Sequence, residues 1–203
     1  MWIDISQKMY PGMPVWPGDK NFEYKAAMKI SEGDSVNTGI ISMSSHTGTH
    51  VDAPYHYDKN GKTIEDINVN DLCGAAEVVE LTGVSKITKE LVQDILPLKT
   101  SIVLFKTTEK EHNYDSYPAF DAEAVQLLAD KGVSVIGTDG PSIDPLTSTA
   151  LPAHKACRDR NIFIIEGLRL HVSPGFYELM AVPLALAEAD GCPVRAVLRA
   201  WGE

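Results

Sequence analysis

His46-Thr47-Gly48-Thr49-His50-Val51-Asp52-Ala53-Pro54-Tyr55-His56 gathers three of the six histidines in the 203-residue chain, with a carboxylate among them. Imidazole and carboxylate are the usual ligands of zinc and related divalent ions. The spacing limits how they can act together. On an extended strand the Cα atoms of His46 and His50 would stand roughly 13 Å apart, too far to share an ion bound at about 2.1 Å. The stretch must therefore be compact. Gly48 permits a tight turn, and Pro54 turns Ala53 away from the helical region. The simplest geometry is a turn that sets His46, His50 and Asp52 on one side. With His56 added and no lysine or arginine between them, a metal site is expected rather than a pair of surface histidines.

Upstream, residues 39–45 read as a strand that delivers the chain into His46, and residues 22–30 as the strand before it. Residues 2–6 alternate apolar and polar side chains and read as a first strand. Between these lies Tyr10-Pro-Gly-Met-Pro-Val-Trp-Pro-Gly-Asp19, a loop stiffened by three prolines and holding two glycines. Trp16 is thereby held on a rigid support where it can either pack on the core or face a ligand. Downstream, Asn60-Gly61 marks a turn, and residues 75–81 form a strand. Thr88 caps a helix over 89–96 that Pro97 ends. Residues 101–105 are a buried strand, and 106–117 a polar surface excursion. Asp121 caps a second helix, with Val125 and Leu128 inward and Gly132 closing it. A strand over 133–136, a helix over 150–160 carrying His154, and a strand over 161–166 ending in Glu166 follow. Residues 177–184 and 194–199 are the last strands. Strands outnumber helices, and two strand-helix-strand units stand in the middle. The expectation is a single α/β domain with a mixed β-sheet, covering residues 1–203.

Taken alone, His154 reads as an exposed helix histidine. Glu166, at the end of the apolar run Ile162-Phe-Ile-Ile165, is a carboxylate whose burial is costly unless a cation compensates it. Cys157 lies three residues after His154 and reads as a buried thiol rather than a ligand. The 44% hydrophobic and 23% charged fractions are those of a globular protein. A net charge of −10 argues against nucleic acid and against anionic membrane surfaces. Cys73, Cys157 and Cys192 give no disulfide framework, which points to a reducing cytoplasm. No apolar run approaches a membrane span, and the first residues lack the pattern of a signal peptide. Neither a G-x-S-x-G elbow nor a glycine-rich phosphate loop occurs, so a serine triad and nucleotide cofactors are not expected.

The central stretch resembles the H-x-G-T-H-x-D-x-P-x-H signature of the cyclase-like metal-dependent hydrolases. The similarity extends to Pro14-Val-Trp-Pro-Gly-Asp19, to Asp139-Gly-Pro-Ser-Ile-Asp144, to His154 and Glu166, and to the segments over 177–184 and 193–197. It implies a swivelling β/β/α layout of the domain. It also implies two divalent ions per subunit, zinc with manganese as the alternative. His46, His50 and Asp52 would hold one ion and His154 the other, with Asp52 and Glu166 bridging the pair. Shared anionic oxygens of that kind offset the repulsion between two close cations. His56 would be the general acid/base and Trp16 a substrate contact. The implied reaction is the hydrolysis of a small aryl formamide by metal-activated water, in a homodimer. Ring opening of isatin or of a lactone is the alternative within the family. A non-catalytic metal-binding protein is the alternative outside it, although a closed structural zinc site typically uses cysteine ligands, and none of the three cysteines here is a convincing one.

Overall fold

The computed structural model describes residues 1–108 and 114–202. β1 (Trp2–Asp4) comes first, then a hairpin of β2 (Glu23–Met28) and β3 (Thr38–Ser42), then β4 (His50–Asp52). Strands and helices alternate through the middle: β5 (Cys73–Glu80), β6 (Lys86–Ile87), α1 (Lys89–Asp94), β7 (Ile102–Lys106), β8 (Ala119–Phe120), α2 (Ala122–Asp130), β9 (Val135–Thr138), α3 (Pro152–Arg160) and β10 (Phe163–Glu166). β11 (Gly175–Met180), β12 (Gly191–Pro193) and β13 (Val197–Ala200) complete the set.

Nine strands form one mixed sheet in the order β1-β13-β11-β5-β7-β9-β10-β4-β12. β5, β7, β9 and β10 run parallel, and the outer pairs are antiparallel. Each parallel step is crossed by a helix, giving three strand-helix-strand units where the sequence suggests two. Crossovers of one hand that step in one direction put their helices on one face. The strands accordingly alternate between two cores. On β7, Val103 and Phe105 pack with Val92 of α1, Val125 and Leu128 of α2 and Ala153 of α3. Ile102 and Leu104 point the other way, into a second core with Ile5, Val51, Ile165, Leu179 and Leu198. Each fully buried leucine, isoleucine or phenylalanine of this kind contributes about 1.5–3 kcal/mol.

That second core is enclosed because the sheet curls. β12 lies at one edge and β13 beside the opposite edge, yet only residues 194–196 join them. Such a link reaches about 14 Å, whereas a flat sheet would separate the two strands by about 34 Å. The chain must close on itself. The Ile5 N–H donates to the Ala196 carbonyl and the Val194 N–H to that of Thr49, at 3.0 and 2.9 Å, along the seam.

Several expectations need correction. The central stretch is not all turn: the turn is finished by Thr49, and Pro54 begins a short 3-10 turn, which leaves His50–Asp52 extended as β4. The strand expected over 39–45 stops at Ser42. β6, β8 and β12, of two or three residues, were not foreseen. The final strands shift to 175–180 and 197–200. Asp121 stands before α2 but does not cap it; its carboxylate pairs with Lys86 instead. The polar excursion over 106–117 is also not simply surface. Lys106 is buried on β7 with its Nζ 3.1 Å from Glu80, and Thr107 is buried with it. Residues 109–113 of that excursion lie outside the described residues.

Candidate active site

β4 is antiparallel to β10, with His50 opposite Glu166 and Asp52 opposite Ile164. Directly opposed residues share a face of the sheet, and side chains two apart on a strand do too. His50, Asp52 and Glu166 therefore rise together from the helix-covered face, while Val51 between them enters the enclosed core. α3, the crossover preceding β10, lays His154 over the group. All four side chains are buried, with His154 only 2% exposed rather than the exposed residue that its helix alone suggested.

His46 reaches the same place from the turn before β4. Its ring lies 4.9 Å, centroid to centroid, from that of His50. The turn requires Gly48 at φ +69°, and it packs so closely that a Cβ on Gly167 would stand 2.5 Å from the Gly48 carbonyl oxygen. Gly191 on β12 is needed for a similar reason, since a Cβ there would strike the His46 ring at 2.6 Å.

Each of these histidines has at least one nitrogen held by an acceptor. His50 Nδ1 is 3.0 Å from the Gly48 carbonyl, and His154 Nδ1 is 2.7 Å from Asp144 Oδ2. His46 Nε2 is 3.1 Å from Asp190 Oδ2, and its Nδ1 is 2.9 Å from Asp52 Oδ1. Acceptors of this kind fix the ring orientation and tautomer of metal-ligating histidines. Asp144 also accepts the N–H groups of Ala153 and His154, so it secures the first turn of α3 together with the imidazole it aims. Glu166 Oε1 accepts the Ile143 N–H at 2.8 Å.

Among these imidazoles and carboxylates, three buried atoms have no hydrogen-bond partner: His50 Nε2, Asp52 Oδ2 and His154 Nε2. Buried and unsatisfied, each costs about 1–3 kcal/mol. All three are Lewis bases, and they converge: His154 Nε2 is 3.4 Å from Asp52 Oδ2, and His50 Nε2 is 3.6 Å from Glu166 Oε2. A divalent cation is the group that satisfies them together. The donors fall into two sets that share Asp52, namely His46/His50/Asp52 and Asp52/His154/Glu166, each with its ligand atoms within 4.8 Å of one another. A third grouping of His46, His56 and Asp190 stands nearer the surface. Cys157 belongs to none of these sets and is a buried thiol, as its sequence context suggests.

Without an ion, protons take its place. Burial works against protonating His46, but Asp190 and Asp52 outweigh it and push its pKa up to about 10. His154 is likewise held up to about 10, burial being outweighed by Asp144 and Asp52. Burial, then the Asp52 charge, raises Glu166 to about 7. His56 behaves differently. Burial first, with His46 and His154 as like charges, lowers its pKa despite Asp52. It ends a short 3-10 turn, tilts over His46 at 4.0 Å and directs Nδ1 towards Asp190 at 3.6 Å. A neutral imidazole beside the cluster is suited to accept a proton near neutral pH.

The cluster opens into a cavity of about 290 Å³. Trp16, Asp19, Tyr114, Ser142, Leu146 and Ser148 line it together with His56. All seven residues that the sequence singled out thus border or belong to one site. Asp144 and Asp190, which aim His154 and His46, had no role in the sequence reading. Asp144 had a signal, since it ends the Asp139–Asp144 segment; Asp190 had none beyond an Asp-Gly pair that reads as a turn.

A curled α/β sheet carrying a buried histidine–carboxylate centre of this kind defines a metal-dependent hydrolase. The Cyclase family model matches residues 3–145, and the chain belongs to that family. It is 46% identical over 205 residues to the kynurenine formamidase of Geobacillus thermodenitrificans strain NG80-2, covering 99% of this chain and 98% of that one. A potential metal-dependent hydrolase with cyclase activity superposes with a TM-score of 0.84 at 34% identity, covering 98% of this chain and 96% of the other. Isatin hydrolase A of Labrenzia aggregata has the same fold, with a TM-score of 0.85 at 20% identity over 98% and 93% of the two chains. A divalent metal is the cofactor of this class, and the donor atoms present here fit one.

Proposed function

We propose that this chain is a kynurenine formamidase, a single hydrolase domain over 1–203 that converts N-formyl-L-kynurenine to L-kynurenine and formate in tryptophan degradation. The observation that carries the reading is the convergence of orphaned His50, Asp52 and His154 atoms beside a neutral His56, at the floor of an aromatic-walled cavity. The 46% identity to a kynurenine formamidase supports the choice of substrate. His46, His50 and Asp52 would hold one ion and His154 the second, with Asp52 and Glu166 shared between them; zinc would suit the nitrogen-rich donors, with manganese the alternative.

A pair of divalent ions supplies a Lewis acid for the formyl carbonyl and lowers the pKa of water towards 7. The chain supplies the rest. Asp52 and Glu166 offset the cationic charge, and Asp144, Asp190 and the Gly48 carbonyl keep the three imidazoles aimed. Trp16 gives the aryl ring a flat wall, and its proline-flanked loop holds that wall still. His56, with Nδ1 turned towards Asp190, accepts the proton of the attacking water at Nε2. It then delivers that proton to the departing nitrogen as the C–N bond breaks, so that a neutral arylamine and formate leave.

The protein acts as a homodimer in the cytoplasm. The exposed apolar hairpin β2–β3 supports the first statement, and the three unpaired cysteines the second. No helix among the described residues is long and apolar enough to cross a membrane.

Turnover of N-formyl-L-kynurenine beside isatin, after metal reconstitution, tests the reading; faster turnover of isatin would overturn it. His56→Ala should keep its metal and lose about 10²–10⁴-fold in kcat. Loss of the metal instead would make His56 a ligand.

A further inference from the structure

We infer that Asp19 binds the α-ammonium group of the substrate, and so restricts the enzyme to formamides that carry an amino-acid side arm. The inference rests on the formamidase reading and adds to it a residue for a part of the substrate remote from the scissile bond.

Trp16-Pro17-Gly18-Asp19 forms a tight turn in which the Asp19 N–H donates to the Trp16 carbonyl at 2.9 Å, with Gly18 at φ +97°. Proline at the second place and a positive φ at the third are the marks of a type II turn, whose first and last Cα atoms lie within about 7 Å. The turn therefore presents an aromatic ring and a carboxylate side by side, and both line the cavity that contains His46, His50, His56, His154 and Glu166. The neighbouring Lys20 faces away and pairs with Glu23.

The Asp19 carboxylate is half-buried and makes no hydrogen bond or ion pair with any described residue. No lysine or arginine is among the described residues that line the cavity. Glu166, the other acid of the lining, belongs to the metal cluster. Asp19 is therefore an uncompensated negative charge inside the cavity wall, and its side chain does not serve the turn that holds it. Across from it, Tyr114 stands edge-on to Trp16, with ring centroids 6.1 Å apart. Burial, then Glu166 and Asp19, raise the Tyr114 hydroxyl to about 12, which places the Asp19 charge within electrical reach of that ring. A carboxylate beside aromatic rings in a cavity wall is a favourable seat for a primary ammonium.

The chemistry of N-formylkynurenine matches this arrangement. With the formamide at the metal cluster and the aryl ring on Trp16, a short carbon chain carries the ammonium away from the ring. The turn sets Asp19 at a comparable short distance from Trp16.

The test compares two substrates on wild-type and Asp19→Asn enzyme, with metal content measured in both. N-formyl-L-kynurenine has the ammonium, and ortho-formamidoacetophenone has the same ring, ketone and formamide without it. A hydrogen bond to a charged group lost from a site typically reduces affinity by about tenfold to a hundredfold. Asp19→Asn should therefore lower kcat/KM for N-formyl-L-kynurenine by that factor, mainly through KM. The acetophenone, with no ammonium to offer, should lose far less, and Asp19→Glu should recover part of the difference. Equal losses on both substrates, or no loss on either, would overturn the inference while leaving the formamidase reading intact. Wild-type enzyme that turns over the acetophenone but not N-formyl-L-kynurenine would overturn the substrate assignment, and Asp19's role with it.

Discussion

Asp52 collects more of the site than any other side chain. His46 approaches its Oδ1 at 2.9 Å and His50 at 3.2 Å, while His154 approaches Oδ2 at 3.4 Å. Those imidazoles hold its carboxyl well below the usual carboxylate range in spite of complete burial. If it bridges two ions, Asp52→Ala removes both, whereas His154→Ala removes chiefly one. Elemental analysis of the purified variants decides this, and full metal in Asp52→Ala would exclude the bridge. The ligand types were legible in the sequence because the motif keeps His46, His50, Asp52 and His56 within eleven residues. Their supports were not. Asp190 meets His46 across 144 positions of chain, and no local pattern announces a partner that distant.

Among the elements, the long and strongly patterned ones were readable, such as β7 with its apolar run and α2 between Asp121 and Gly132. β4 was not, because three residues between a glycine turn and a proline turn carry no periodicity of their own. β12 was hidden for the same reason: Gly191–Pro193 is a strand only through its pairing with β4. The β2–β3 hairpin was anticipated as strands, but its surroundings were not. Tyr24, Ile40 and Ile41 are between 56% and 59% exposed, and an isolated two-stranded hairpin is marginally stable in water. A second copy of the chain is the proposed cover. Replacing Ile40 and Ile41 by aspartate should halve the mass measured by light scattering while leaving the far-ultraviolet dichroism unchanged. An unaltered mass would place the subunit contact elsewhere.

Over the whole molecule, the metal centre is also a stability element, with a definite pH dependence. His46 and His154 have folded pKa values of about 10, above the ordinary value of 6.5. Groups raised in this way contribute stability that is complete below their unfolded pKa and is lost as the pH climbs through the folded one. The metal-free protein should therefore lose Tm between pH 7 and 10. The loaded protein, whose imidazoles carry an ion in place of the proton, should not share that fall, and a parallel decline in both scans would refute the account. The curl of the sheet bears on how the centre comes to exist at all. β1 leaves the ribosome well before β13, yet they are hydrogen-bonded neighbours, and β12, almost as late as β13, flanks the strand that carries His50 and Asp52. The nascent chain consequently holds its ligands without the walls that aim them. A chain cut short before β12 should therefore bind no ion at this site, and metal analysis of such a truncation checks it.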